Sequence, residues 1–151
     1  MNTPKIIFLT ILVCIGIPMQ VAKAATIPAG TIILVRTEKN IYSGDSAGRR
    51  FETRLARPLA AQGSVAVPSG TTAWGKVKSP RVSVGSTTRP LTLRLTELVI
   101  HGKTVPIKTD DFEASNTSPW YTARGVHVTA GRFLMPPGTI LQFRLTEAVS
   151  L

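Results

Sequence analysis

Cysteine is nearly absent from this chain. Among 151 residues there is one, Cys14, and it lies within an apolar N-terminal run that we predict to be removed. The remaining chain then has no disulfide, no thiol nucleophile and no cysteine metal site. A secreted domain of this kind is held together by packing alone, which suits a bacterial periplasm.

Residue patterns typical of enzymes are also scarce. The two histidines, His101 and His127, have no spacing that requires a metal site with Asp110 and Asp111. Residues 84–88 lack the lysine and the second glycine of a phosphate-binding loop. We therefore predict a protein that is not an enzyme and holds no metal or other cofactor.

A hydrolase is the alternative to this prediction. A Ser-His-Asp enzyme needs its serine on a sharp strand-to-helix turn, and we interpret the serine-containing residues 43–46 as an ordinary turn. A glycoside hydrolase needs paired carboxylates. Three glutamates lie in strand-like contexts beside arginine or threonine, where cross-strand ion pairing is the simpler explanation: Glu52, Glu97 and Glu147.

Acidic residues are few, and the chain is strongly basic. It has 18 lysines and arginines against 8 acidic residues. Without Lys5 and Lys23, which lie in the predicted leader, 16 basic residues remain against 8 acidic ones, a net charge of +8. Such a surface either attracts anionic lipid headgroups, cell-wall polymers or nucleic acid, or only keeps a secreted protein soluble in an acidic envelope. Aromatic residues do not interleave with the basic ones, which argues against nucleic acid as a partner.

The N-terminus predicts export. Lys5 precedes an apolar run at residues 6–17, which is too short to span a membrane. Ala22 and Ala24 then form a small-x-small cleavage site. This order is typical of a secretory signal peptide. We predict that residues 1–24 are removed, and that residues 25–151 form one periplasmic or secreted domain without a transmembrane span.

One short phrase occurs three times, each time before a strand-like run at residues 32–36, 72–77 or 140–145. Proline presets φ for a turn, and glycine accepts the positive φ that often follows. We therefore assign the phrase to folding rather than to activity. Its prolines and glycines are Pro28 with Gly30, Pro68 with Gly70, and Pro137 with Gly138, the last copy being preceded by Pro136.

The rest of the chain reads as short strands. Apolar residues alternate with polar ones at residues 51–55, 91–96 and 141–146, and no apolar period of 3.6 appears after the leader. About seven strands predict an all-β domain, a small barrel or a sandwich. Residues 32–36 are apolar at both parities, which predicts a strand buried on both sides or a barrel strand. Residues 110–132 predict a longer loop.

Two sets of side chains are candidates for contact with a partner. The first set lies on a strand face and in the long loop, where the aromatic pair is either a lid over the core or a contact point: Trp74, Lys76, Lys78, Trp120 and Tyr121. The second set is a candidate for binding an anionic envelope polymer or lipid: Arg49, Arg50, Arg54 and Arg57. Strand parity places Arg57 on the face opposite Arg50 and Arg54.

The order of these phrases resembles a known family. Residues 27–32, 42–59 and 67–75, followed by a leucine-rich strand and the Gly102 hairpin, are similar to the C-terminal β-barrel domain of TrbI-like conjugation and type IV secretion proteins. They are also similar to small secreted bacterial β-proteins of unassigned function. In the secretion family this barrel forms rings in the envelope, so the resemblance implies an envelope protein partner or a homo-oligomer. Residues 113–132 stand where that family has a hydrophobic hairpin, but here they are short and polar.

Overall fold

Every regular element of the computed structural model is a β-strand in the residues that it describes, which are 24–78, 91–114, 128–129 and 132–151. The strands are β1 (Thr26–Ile27), β2 (Ile32–Thr37), β3 (Ile41–Tyr42), β4 (Arg50–Leu55), β5 (Leu59–Ala61), β6 (Ser64–Val67), β7 (Thr72–Lys78), β8 (Leu91–Ile100), β9 (Lys103–Pro106), β10 (Phe112–Ala114), β11 (Val128–Thr129), β12 (Arg132–Met135), β13 (Ile140–Arg144) and β14 (Val149–Ser150). The predicted all-β class is therefore confirmed.

The main sheet is antiparallel and seven-stranded, in the order β10-β8-β7-β4-β2-β13, with β9 also paired to β8. It curls into a half-barrel, which confirms the predicted architecture. The segment that precedes β10 lies against the end of the edge strand β13. There the amide of Asp110 donates to the carbonyl of Arg144 at 2.9 Å, and the amide of Thr146 donates to the carbonyl of Lys108 at 3.0 Å.

Every second side chain along the strands points to the inside of this sheet and packs in the core. Ile33 and Val35 of β2 are fully buried, whereas Ile32 is 37% exposed. Of the two alternatives for β2, burial on both sides is therefore wrong, and a barrel strand agrees with its place in the curled sheet. The core lies on one side of the sheet, and the outward aliphatic side chains of β2 are only partly covered. We call the side away from the core the outer face.

A β-bulge keeps the long strand β8 in register with the core. Gly75 pairs with Leu95, but Trp74 pairs with Glu97, so Thr96 is the extra residue. Because a one-residue shift exchanges the two faces of a strand, Leu98 points to the core as Leu95 does. Without the bulge, the second half of β8 would turn its apolar residues outward.

The first Pro-x-Gly-Thr turn shows a compact set of hydrogen bonds. The hydroxyl of Thr31 donates to the carbonyl of Pro28 at 2.7 Å, and Gly30 has φ of +85°. The amide of Gly30 donates to the carbonyl of Leu145 at 2.7 Å, and the amide of Leu145 donates to Thr31 at 2.9 Å. The turn therefore fastens the start of β2 to the residue that follows β13.

The other two copies repeat this geometry. In the second turn, the hydroxyl of Thr71 donates to the carbonyl of Pro68 at 2.8 Å, and Gly70 has φ of +81°. In the third turn, the hydroxyl of Thr139 donates to the carbonyl of Pro136 at 2.7 Å, and Gly138 has φ of +83°. Their glycine amides donate to Leu55 and Thr37, each at 2.7 Å. Pro136, rather than Pro137, thus occupies the position of Pro28 and Pro68. We expected the prolines to occupy the second position of each turn, where proline presets φ. Pro137 does so, whereas Pro28 and Pro68 occupy the first position and supply the accepting carbonyl.

Smaller ribbons complete the fold. β1 pairs with β14, β5 with β6, and β12 with both β3 and β11. Two-residue turns with positive φ at both positions close two hairpins, at Gln62-Gly63 and at His101-Gly102. Buried side chains from the main sheet and the ribbons form one hydrophobic cluster. Within the described ranges, no helix is long and apolar enough to cross a membrane.

Candidate interaction surface

The outer face of β4, β7 and β8 carries a tryptophan among charged residues. Trp74 lies in the middle of β7 and is half-buried, because the alternation that sends Ala73 and Val77 to the core sends Trp74 outward. The guanidinium carbon of Arg50 lies 4.8 Å from the centroid of the Trp74 ring, within cation–π range. Arg50 also pairs with Glu97 at 2.6 Å. The indole is thus held under an ion pair rather than packed in the core.

A row of cations crosses the strands beside Trp74. Register places Lys76 directly opposite both Arg50 on β4 and Arg94 on β8. Like charges in directly opposed positions destabilise a sheet. Arg50 and Arg94 are each offset by a carboxylate, but Lys76 has no ion pair with any described residue. Lys76 is exposed and therefore leaves positive charge at the centre of the row.

Asp111 anchors the end of this row. Its carboxylate pairs with Lys78 at 2.8 Å and with Arg94 at 2.7 Å. Burial alone would raise the pKa of Asp111, but the hydrogen bonds and the charges of Lys78 and Arg94 outweigh it and hold the pKa below its usual value. Asp111 is therefore ionised at neutral pH, and Lys78 is less available to a ligand than Lys76. We call the outward set the Trp74 surface: Arg50, Trp74, Lys76, Lys78, Arg94, Glu97 and Asp111.

The four arginines predicted to bind anions do not form one free cluster. Arg49 is paired with Asp45, Arg50 with Glu97 and Arg54 with Glu38, the last at 3.5 Å. Arg57 lies beyond the end of β4 and has no ion pair with a described residue. Neighbouring carboxylates already offset three of these cations, which weakens the set as a binding site for an anionic polymer.

Several predicted residues lie outside the part of the chain that the structure describes. They are Ala22 of the cleavage site, the aromatic pair Trp120 and Tyr121, and His127. The choice between a lid and a contact loop for the aromatic pair therefore stays open. Ala24 is exposed and directly precedes the first paired segment.

Residues with catalytic potential are dispersed where the structure describes them. Residues 44–48 carry the letters Gly-x-Ser-x-Gly, but they form a loop between β3 and β4 rather than a strand-to-helix turn. The carboxylate of Asp45 in this loop accepts from the amide of Tyr42 and from Arg49. His101 is exposed in a hairpin turn. Across the described ranges, no three His, Cys, Asp or Glu side chains are placed to hold a metal ion.

Sequence reasoning missed three members of the Trp74 surface: Arg94, Glu97 and Asp111. Alternation alone marks Arg94 as outward, next to the inward Leu93 and Leu95. What alternation does not give is the neighbour across the strand. That neighbour depends on the bulge at Thr96 and on the short pairing of β10 with β8.

A solved structure is similar to this fold. ComB10 of the Com type IV secretion system of Helicobacter pylori matches with a TM-score of 0.57 and 13% sequence identity, over 84% of this chain and 91% of that chain. At this identity the match shows a shared fold. No protein-family model and no curated protein sequence matches the chain. The fold is therefore consistent with the resemblance to the β-barrel domain of TrbI-like secretion proteins.

Proposed function

We propose that this protein is exported to the cell envelope, is not an enzyme, and has a structural or protein-interaction role there. The observation that carries the proposal is Trp74, a half-buried indole on the outer face of the sheet, under the guanidinium of Arg50. The fold shared with ComB10 adds support, since that protein is part of a type IV secretion system.

Trp74 and Arg50 are the residue types that dominate protein interfaces. Tryptophan and arginine are enriched among residues whose truncation weakens binding by more than ~2 kcal/mol. The ion pair of Arg50 with Glu97 already orders the guanidinium on the ring, so a partner loses less side-chain entropy on binding. A surface that is polar at its rim and aromatic at its centre fits an interface formed and released in water.

In-cell photocrosslinking tests the proposal. Benzoylphenylalanine is introduced at Lys76, inside the Trp74 surface, and in a second strain at Val65, which is 65% exposed on the separate β5–β6 ribbon. We expect a discrete protein adduct from position 76 that still forms when cell envelopes are irradiated at high salt, and none from position 65. An adduct with a second copy of this chain identifies a homo-oligomer, which also fits the proposal.

Equal adducts from both positions, or no protein adduct from position 76, would overturn the assignment. Either result means that partners do not bind specifically at the Trp74 surface. Because high salt during irradiation screens exposed charge pairs, an interface centred on Trp74 still forms its adduct, while a purely ionic contact does not.

A second candidate function is binding of an anionic wall polymer or lipid. The observation that favours it is the row Arg50, Lys76 and Arg94, where cations face each other across three strands. Such binding falls steeply with ionic strength. Recovery of the crosslinkable protein with wall or lipid material only, lost at high salt, would replace the first function by this one.

A further inference from the structure

A second outward surface lies on β13, β2 and β4, and it shares no residue with the Trp74 surface. Among the described residues, four large hydrophobic side chains are exposed, and two of them belong to it: Ile32 at 37% and Ile140 at 38%. Leu34, two residues after Ile32 on β2, is half-buried. We call the following set the β2–β13 surface: Ile32, Leu34, Arg36, Arg54, Ile140 and Arg144.

Register gives this surface its layout. Ile140, Arg36 and Arg54 form one row across the three strands, since Arg36 pairs with both of the others. Ile32 pairs with Arg144, two rows further along. In the row between them, Leu34 pairs with the exposed Gln142. The apolar side chains therefore run diagonally from Ile140 through Leu34 to Ile32, with Gln142 beside them, two arginines at one end and a third arginine at the other.

The charges of this surface are mostly uncompensated. Arg54 is held by Glu38 at 3.5 Å and donates to the carbonyl of Gly70 at 3.3 Å. Arg36 is directly opposite Arg54, and neither Arg36 nor Arg144 has an ion pair with a described residue. Two opposed guanidiniums destabilise the free sheet. Glu38 offsets this repulsion only on the side of Arg54, so an anion that binds Arg36 beside Arg54 removes the remaining repulsion and gains hydrogen bonds.

We propose that the β2–β13 surface is a docking site for an acidic segment of another protein. The segment lays aliphatic side chains on Ile32, Leu34 and Ile140. It places a carboxylate between Arg36 and Arg54, since guanidinium groups bind carboxylates through two parallel hydrogen bonds. This inference does not rest on the function proposed for the Trp74 surface.

Charge decides between an acidic partner and a second copy of this chain. In a symmetric pair through this surface, Arg36, Arg54 and Arg144 of one copy would meet the same arginines of the other. Two described carboxylates bond to these arginines, and both are already engaged: Glu38 pairs with Arg54, and Asp110 accepts from the backbone amide of Arg144 at 2.7 Å. A second copy therefore meets repulsion where an acidic segment meets attraction.

Fluorescence anisotropy with a labelled peptide tests the proposal on the purified protein. The probe is fluorescein-Ser-Ile-Ser-Val-Ser-Asp-Asp, which presents two aliphatic side chains and an acidic end when extended. One control peptide has lysines in place of the aspartates, and the other has serines in place of isoleucine and valine. We expect saturable binding of the probe at low salt, and binding of each control about tenfold weaker or weaker still.

Protein variants locate the binding. We expect Arg36→Gln to weaken probe binding about tenfold, Arg36→Lys to weaken it less, and Ile140→Ser to weaken it severalfold. Lys103→Gln, which removes an exposed cation from β9, is the matched control and should leave binding unchanged. Trp74→Ala should also leave it unchanged, which separates this inference from the function proposed above.

Three results would overturn the proposal. The first is equal binding of the probe and the lysine peptide. The second is unchanged probe binding in Arg36→Gln while its melting temperature matches the wild type. The third is absence of saturable probe binding at low salt. If Arg36-dependent binding to vesicles of phosphatidylglycerol is then observed, the surface is a lipid contact instead.

Discussion

The two faces of the main sheet are built from alternate residues of the same strands, yet they differ in every property that matters for binding. On β8, Leu93 and Leu95 are fully buried, while Arg94 between them points outward and pairs with Asp111. On β7, Ala73 and Val77 point to the core, while Trp74 and Lys76 between them in sequence point outward. Because both faces share one backbone ladder, their difference lies in the side chains alone.

The difference separates stability from recognition. Burial of one inner leucine stabilises the fold by about 2 kcal/mol, whereas an exposed ion pair contributes ~0–1 kcal/mol. The outer face keeps opposed cations that cost stability. This composition fits the partner contact proposed above. Substitutions on the inner face should lower the free energy of unfolding, and substitutions on the outer face should weaken binding with little effect on stability.

Leu95→Ala is expected to have the largest effect on folding. Removal of its side chain leaves a cavity on the core side of the sheet and should lower the free energy of unfolding by about 2–5 kcal/mol. Arg94→Ala, one residue away and outward, is the matched control and should cost less than ~1 kcal/mol. Urea denaturation measures both. Equal losses for the two variants would break the distinction between the faces.

Gly75→Ala should cause the next largest loss of stability, because there is no space for a Cβ at this position. A Cβ at Gly75 would lie 2.2 Å from the ring carbon Cζ of the buried Phe51, its neighbour on β4. The ring has to move, so we expect a loss of about 2–3 kcal/mol by urea denaturation. The double variant with Phe51→Val should recover part of it. No recovery would show that the ring is not the obstacle.

Gly70→Val tests a glycine that is required for the opposite reason. No heavy atom lies within 4 Å of a Cβ placed there, but φ is +81°. Strain alone should cost about 1–3 kcal/mol, and Gly70→Asn should cost less because asparagine tolerates positive φ. The melting temperatures of the two variants measure this. If valine and asparagine were equally costly, backbone strain would not explain the repeated turn.

The smallest expected effect concerns pH. The pKa of Asp111 is below its usual value in the folded protein because of Lys78 and Arg94, despite burial. Its contribution is therefore complete above the unfolded pKa of about 4 and is lost as the pH falls through the folded pKa. Since the groups are partly exposed, the contribution is at most ~1 kcal/mol. Asp111→Asn should make acid unfolding less steep; an unchanged pH dependence would contradict this.

Alternation and turn chemistry were enough to predict most of the main sheet. Phe51, Thr53 and Leu55 share the inner face as their spacing predicts, and the repeated phrase forms turns with positive φ at each glycine. These features depend on neighbours in sequence, since φ preferences and side-chain parity are local properties. The all-β class follows from them.

The candidate site could be predicted only in part, because its geometry depends on distant residues. Trp74, Lys76 and Lys78 were identified by parity, but the pairing of Arg50 with Glu97 requires the register of three strands. Whether the four arginines form one patch could not be decided from the sequence. Asp45, four residues before Arg49, is a local partner, but the pairing of Arg54 with Glu38 depends on the register of β2 and β4. Local pattern gives the face of a residue and not its neighbour across the sheet.

The central claim is that the outer face binds a partner while the inner face holds the fold. The most direct test measures Trp74→Ala for crosslinking from position 76 and for melting temperature in the same preparation. We predict that the protein adduct falls at least tenfold while the melting temperature changes by only a few degrees. An unchanged adduct, or a fall in melting temperature as large as that of Leu95→Ala, would contradict the claim.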